Sequence, residues 1–152
     1  MTCAAIMTAD PLTLKEGDSV ARAAEALTKH HYINLPVVDG DGRFLGMFGI
    51  YDLLSLLVPR VALAGDLLPN LRFVGDDPAA LRAKFQAVKA KTVGEYCDRQ
   101  AVVLHPDTPE IEALRLFCLR HTTLAVAERE TGKLVGIVSY WDAIRAITGA
   151  AT

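Results

Sequence analysis

A long stretch of this chain occurs twice. Leu35-Pro36-Val37-Val38-Asp39 aligns with Leu124-Ala125-Val126-Ala127-Glu128 at an offset of 89 residues. Gly42-Arg43-Phe44-Leu45-Gly46 aligns with Gly132-Lys133-Leu134-Val135-Gly136 at an offset of 90, so the second copy has one extra residue in its turn. Asp52 matches Asp142, and Asp18 matches Asp107. Hydrophobic, turn and acidic positions that recur in one order imply two copies of one supersecondary unit. A unit of about sixty residues has only a marginal core by itself. The two copies are therefore expected to share a core in one compact α/β body.

Each copy reads as strand, helix, strand, turn, strand, helix. In the first copy Leu12 to Leu14 is a short strand, and Asp18 or Ser19 is the N-cap of a helix. Val20, Ala24, Leu27 and His31 follow at spacings of four, three and four, which predicts one buried helix face. Leu35 to Asp39 and Phe44 to Phe48 are strands joined by the turn Gly40-Asp41-Gly42. A second helix starts near Tyr51 and turns Leu53, Leu54 and Leu57 inward. In the second copy Asp107-Thr108-Pro109 opens the first helix, where proline suits the first turn. Ile144 and Ile147 take the places of Leu54 and Leu57 in the last helix.

Charge and cysteine usage exclude several classes. Sixteen Lys and Arg against eighteen Asp and Glu leave a net charge of −2, without the basic surface of a dedicated nucleic-acid binder. The most apolar stretch, Leu53 to Leu71, contains Arg60, Asp66, Pro59 and Pro69, so it does not read as a membrane span. Cys3, Cys97 and Cys118 are odd in number and widely spaced, and Met1-Thr2-Cys3-Ala4-Ala5 does not read as a secretory signal. Free thiols and a cytoplasmic location are expected.

The residues Ile6-Met7-Thr8, Asp18-Ser19-Val20, Leu35 to Asp39 and Gly46 to Asp52 carry a resemblance in the first copy. Val93-Gly94-Glu95-Tyr96-Cys97, Asp107-Thr108, Leu124-Ala125-Val126 and Gly136 to Asp142 carry it in the second. Together they resemble the tandem cystathionine-β-synthase-type (CBS) domain pair, or Bateman module. The resemblance divides the chain into a first repeat at 1–58, an inter-repeat linker at 59–91 and a second repeat at 92–152. It implies two βαββα units packed around a pseudo-twofold axis, with adenosyl ligands in the clefts between them. No cofactor and no catalytic or metal-binding role is implied.

The family's ligand motif is Gly, apolar, any residue, Thr or Ser, two residues, then Asp. Gly136-Ile137-Val138-Ser139-Tyr140-Trp141-Asp142 fits it. The resemblance makes Asp142 a ribose ligand and Ser139 a phosphate ligand. A carboxylate accepts bonds from both hydroxyls of a ribose diol, and a hydroxyl beside the free amides of a helix start suits phosphate. Ser139-x-x-Asp142 also satisfies a helix capping box, which needs no ligand. Gly49 stands where the first copy should have its hydroxyl, leaving Asp52 as a second ribose candidate. Arg120 is a further phosphate candidate. Base-side positions implied by the family are Tyr32, Ile33 and Leu35 in the first copy, with His121, Thr122 and Leu124 in the second.

Other chemistry is thinly supported. Cys118 and His121 are three apart on a predicted helix, but no further ligands or orienting group accompany them, and Leu114, Phe117 and Cys118 form an apolar pattern. In the linker, Leu81, Phe85 and Val88 form an apolar face, and Arg82, Lys84, Lys89 and Lys91 form a basic strip that reads as a solvated face. The expected function is a regulatory sensor for AMP, ADP, ATP or S-adenosylmethionine, acting on an effector protein not identified by the sequence. The alternative is a ligand-free dimerisation or interaction module. Leu53, Leu56, Leu57, Val58, Ile144 and Ile147 supply enough apolar surface to predict a homodimer. Nucleic-acid and membrane partners are not expected.

Overall fold

The computed structural model describes residues 1–58 and 78–150. The linker at 59–77, with Pro59, Arg60, Asp66, Pro69 and Gly75-Asp76-Asp77, lies outside the described residues. The first repeat contributes α1 (Cys3–Ile6), β1 (Thr8–Ala9), β2 (Leu14–Lys15), α2 (Val20–His30), β3 (Asn34–Val38), β4 (Phe44–Gly49) and α3 (Ile50–Leu57). After α4 (Pro78–Val88) and a 3-10 turn at Val93–Glu95, the second contributes β5 (Val103–Leu104), α5 (Glu110–Arg120), β6 (Leu124–Ala127), β7 (Leu134–Val138) and α6 (Tyr140–Thr148).

Two sheets result, with strand orders β2-β3-β4 and β1-β7-β6-β5. In each, a short strand runs parallel to the middle strand, and the middle strand pairs antiparallel with the hairpin partner. The hairpin turns also pair with each other. Phe44 N–H donates to Gly132 O and Leu134 N–H donates to Gly42 O, both at 3.0 Å. The repeat in sequence thus becomes a pseudo-twofold repeat in space, as the resemblance to the CBS domain pair implies.

Sequence repeat and packing unit are offset, because the repeats exchange their first segments. β1 pairs with β7, placing Thr8 opposite Ile137. The equivalent bridge, ninety residues away in both partners, sets Asp98 opposite Met47. Cys3 N–H donates to Thr108 O at 2.8 Å, and Val93 N–H donates to Asp18 O at 2.9 Å. The cores record the same exchange. Cys3 is fully buried among Leu104, Phe117, Leu124 and Val138, while Val93 and Cys97 are buried among Leu14, Val20, Leu35 and Phe48. Burying a valine contributes about 1.5–3 kcal/mol, so each repeat depends materially on its neighbour.

Local rules explain most boundaries. Ser19 caps α2, accepting from Arg22 N–H at 3.1 Å, and proline at 109 immediately precedes α5. Other expectations are corrected. The buried face of α2 is Val20, Ala23 and Leu27 rather than the set with Ala24 and His31. His31 ends that helix in a left-handed conformation at φ 54°, as His121 does for α5 at φ 51°. The first strand is Leu14–Lys15, shifted from Leu12 to Leu14. Leu54, Ile144 and Ile147 are exposed, whereas Leu53 and Leu56 pack against the first core. Phe85 on α4 also packs there, but Leu81 is exposed. Cys118 is exposed on α5 and does not act as a small core residue.

Candidate functional site

Two clefts lie where the repeats meet, and each takes walls from both. The second cleft, of about 470 Å³, joins Ser139, Tyr140, Trp141, Asp142 and Arg145 of α6 and its cap to Tyr32, Ile33 and Leu35 at the start of β3. The first cleft, of about 410 Å³, joins Gly49, Tyr51 and Asp52 to Arg120, His121 and Thr122 before β6. Each acidic helix start thus faces the middle-strand approach of the other repeat. Ile33, Asn34 and Thr123 line both clefts. Asn34 Nδ2 donates to Thr122 Oγ1 at 2.5 Å across the repeats. Its Oδ1 is the buried side-chain polar atom left without a partner among the described residues.

In the second cleft Asp142 is the centre of a bonded network. Its side chain is only 5% exposed. Oδ2 accepts from Ser139 N–H at 2.8 Å and from Ser139 Oγ at 2.6 Å. Oδ1 accepts from Thr8 Oγ1 at 3.1 Å and from Arg145 at 2.5 Å. The Ser139 hydroxyl also accepts from Asp142 N–H at 3.3 Å, completing a capping box. A carboxylate has about four acceptor positions, and here four donors occupy them. The capping and ligand readings of Ser139 and Asp142 are therefore in direct contact on the same oxygens.

The first cleft is built from equivalent positions with different chemistry. Gly49 replaces Ser139 for want of space: a Cβ there would lie 2.5 Å from Ile33 O and 2.7 Å from Asn34 Cβ. Asp98 stands in the place of Thr8, and Ser55 in the place of Arg145. Among the described residues, the Asp52 carboxylate accepts from Gly49 N–H at 2.7 Å and has no basic partner. Burial pushes its carboxyl above the usual range, the Gly49 N–H pulls it back, and the Asp98 charge pushes it up again.

Opposite responses to one substitution follow from that contrast. A carboxyl raised on folding costs stability once ionised. The cost is absent below the ordinary carboxylate range and complete above the raised value. Asp52→Asn is therefore expected to raise the melting temperature at neutral pH, with the gain shrinking as pH falls through the carboxylate range. Asp142→Asn should lower it, because an amide offers one oxygen to four donors and turns its own N–H groups against the others. Leaving donors unmatched costs roughly 1–3 kcal/mol. Melts of both variants from pH 4 to pH 8 check this. A stabilised Asp142→Asn, or an Asp52→Asn gain that grows towards acid, would contradict it.

The clefts regroup the residues proposed from the sequence. Asp142 and Ser139 share theirs with Tyr32, Ile33 and Leu35, while Asp52 shares its cleft with Arg120, His121 and Thr122. Arg120 is thus separated from Ser139, its fellow phosphate candidate. Leu124 is fully buried in the second core and lines neither cleft. Sequence reading missed Asp10, Asn34, Asp98 and Arg145 as lining residues. Arg145 had a local signal, since an arginine three residues after Asp142 falls on the same helical face. The positions of Asp98 and Thr8 follow from the segment exchange, which no local pattern reveals.

Among the described residues, no helix is long and apolar enough to cross a membrane. A comparison with curated proteins finds no match. A CBS domain family model matches residues 3–59 and 93–149. The CBS-pair protein CBSX2 from Arabidopsis thaliana is similar at 25% identity and TM-score 0.75, covering 99% of this chain and 98% of that one. CBSX2 in complex with AMP matches at 25% identity and TM-score 0.72, covering 97% and 96%. The CBS domain pair of protein MJ0100, in complex with 5′-methylthioadenosine and S-adenosyl-L-methionine, has the same fold at 23% identity and TM-score 0.66, covering 98% and 97%. Two family matches on the two halves of one pseudo-twofold body leave a single assignment: the chain belongs to the CBS domain family and carries that domain twice.

Proposed function

We propose that this chain is a regulatory sensor, not an enzyme, and that it binds an adenosine-containing ligand in the clefts between its repeats. The observation that carries the reading is the second cleft. A buried carboxylate, the capped start of α6, an arginine and the aromatic residues Tyr32 and Trp141 line one cavity of about 470 Å³. In this reading Asp142 holds the ribose diol, and Ser139 with the amides of α6 meets the 5′ side. The rings and Ile33 offer an apolar lining for the base. Asp52, Arg120, His121 and Thr122 form the equivalent but weaker first site. The AMP complex of CBSX2 supports AMP as the first ligand to try. The free thiols, Cys3 and Cys97 buried and Cys118 exposed, fit a reducing, cytoplasmic setting.

Trp141 is the single tryptophan and lines the second cleft, so at a fixed chain concentration a ligand-induced change in its fluorescence reports on that cleft. AMP is expected to change this signal saturably, and 2′,3′-dideoxy-AMP to bind about ten-fold more weakly because the charge-assisted ribose bonds are lost. Absence of AMP binding, or equal affinity for the dideoxy compound, would overturn the assignment of Asp142.

The outer faces of α3 and α6 support a homodimer as part of the same proposal. Tyr51 and Leu54 on one, and Trp141, Ile144 and Ile147 on the other, are exposed at equivalent positions. Large apolar side chains exposed at equivalent positions of both repeats are the material of an interface. Sedimentation equilibrium at tens of micromolar should give twice the chain mass, and a monomer would refute it.

A further inference from the structure

The Asp142 carboxylate has no acceptor position to offer a ribose while all four of its donors stay in place. Two donors belong to the helix cap: Ser139 N–H, held by the backbone, and Ser139 Oγ, held by its reciprocal bond with Asp142 N–H. A third, Thr8 Oγ1, is a short side chain on the exchanged strand β1, whose backbone is held by the pairing with β7. The fourth is the Arg145 guanidinium, at the end of a long flexible side chain that is 42% exposed. Arg145 is therefore the donor that can leave without unfolding the cap or the sheet, and it lines the same cavity.

We propose that Arg145 is the specificity-determining residue of the second cleft, exchanging the Asp142 carboxylate for an anionic group of the ligand when a ribose takes its place. This rests on the sensor reading and narrows its ligand class to adenosine compounds that carry a phosphate. The physical argument is a balance of ion pairs. A ligand without a negative group must displace the guanidinium from a buried carboxylate and give it nothing in return. A phosphate supplies a charge-assisted, bidentate partner of the kind arginine prefers. The first cleft lacks the device. Its equivalent residue is Ser55, whose hydroxyl donates to Asp52 O at 2.8 Å and leaves the carboxylate alone.

Trp141 fluorescence titration with AMP and with adenosine tests this. The wild type should bind AMP about ten-fold or more tightly than adenosine, and rising salt should erode the preference. In Arg145→Gln the preference should fall to within about two-fold, with adenosine bound no worse than by wild type, whereas Arg145→Lys should fall between the two, because a lysine keeps the charge but not the bidentate fit. An Arg145→Gln protein that keeps the full AMP preference overturns the role of Arg145 while leaving the sensor reading intact. Failure of wild type to bind either compound removes both. Should Arg145→Gln not melt cooperatively, the salt series on wild type decides, and a preference indifferent to salt overturns the proposal.

Discussion

Expressed alone, residues 1–58 and residues 92–152 should each fail to show a cooperative thermal transition, although each is a complete copy of the repeat in sequence. The first fragment lacks Val93 and Cys97, which are buried against Leu14, Val20 and Phe48. It also lacks Asp98, which bonds Met47 in both directions, N–H to O at 2.7 Å and 3.1 Å. The second fragment lacks Cys3, the strand β1 and the Thr8 hydroxyl on Asp142. A domain is stable by only about 5–15 kcal/mol. Losing one or two buried side chains together with their strand pairing removes a large part of that from units whose cores are already marginal. Circular dichroism melts of the fragments, alone and mixed, measure it. Mixing should restore part of the signal, because the exchanged segments still find their sites. Two fragments that melt independently, with stabilities matching the intact chain, would show that the exchange is decorative.

The duplication is legible because it is written in residues that sheets and turns demand: alternating hydrophobics, a glycine turn and an acid at a helix start. Leu35 to Asp39 and Leu124 to Glu128 announce the middle strands by their pattern alone. The exchange is illegible for the opposite reason. Cys3 and Val93 are ordinary apolar residues in short segments, and nothing in their neighbours says which core receives them. The same gap hides the clefts. Asp142 and Ser139 are recognisable locally, yet their opposite wall, Tyr32 to Leu35, is more than a hundred residues away in sequence. Face assignments fail where the outer side of a helix is as apolar as its inner side. On α3 periodicity alone cannot choose Leu53 and Leu56 over Leu54.

The exchange also explains two glycines, and their replacement is the next largest effect expected. Gly46→Ala should lower stability by about 2–3 kcal/mol, near the top of the overpacking range, and the melting temperature by roughly 4–12 °C for a chain of this size. A Cβ at Gly46 would collide with the carbonyl oxygen of Asp98 and lie 2.9 Å from its carbon, so the obstacle is backbone held by strand pairing. Gly136→Ala should cost less. Its nearest neighbour is the flexible Met7 thioether at 2.8 Å, which can swing aside, and Thr8 O follows at 2.9 Å. The two variants should also part company at the clefts. Pushing β1 away at Gly136 loosens Thr8 from Asp142 in the second cleft, whereas displacement at Gly46 moves Asp98 relative to Asp52 in the first. Gly136→Ala should therefore alter the Trp141 fluorescence response to AMP at a smaller loss of stability than Gly46→Ala. A Gly46→Ala protein as stable as wild type would mean that the two repeats are not held together by these close backbone contacts.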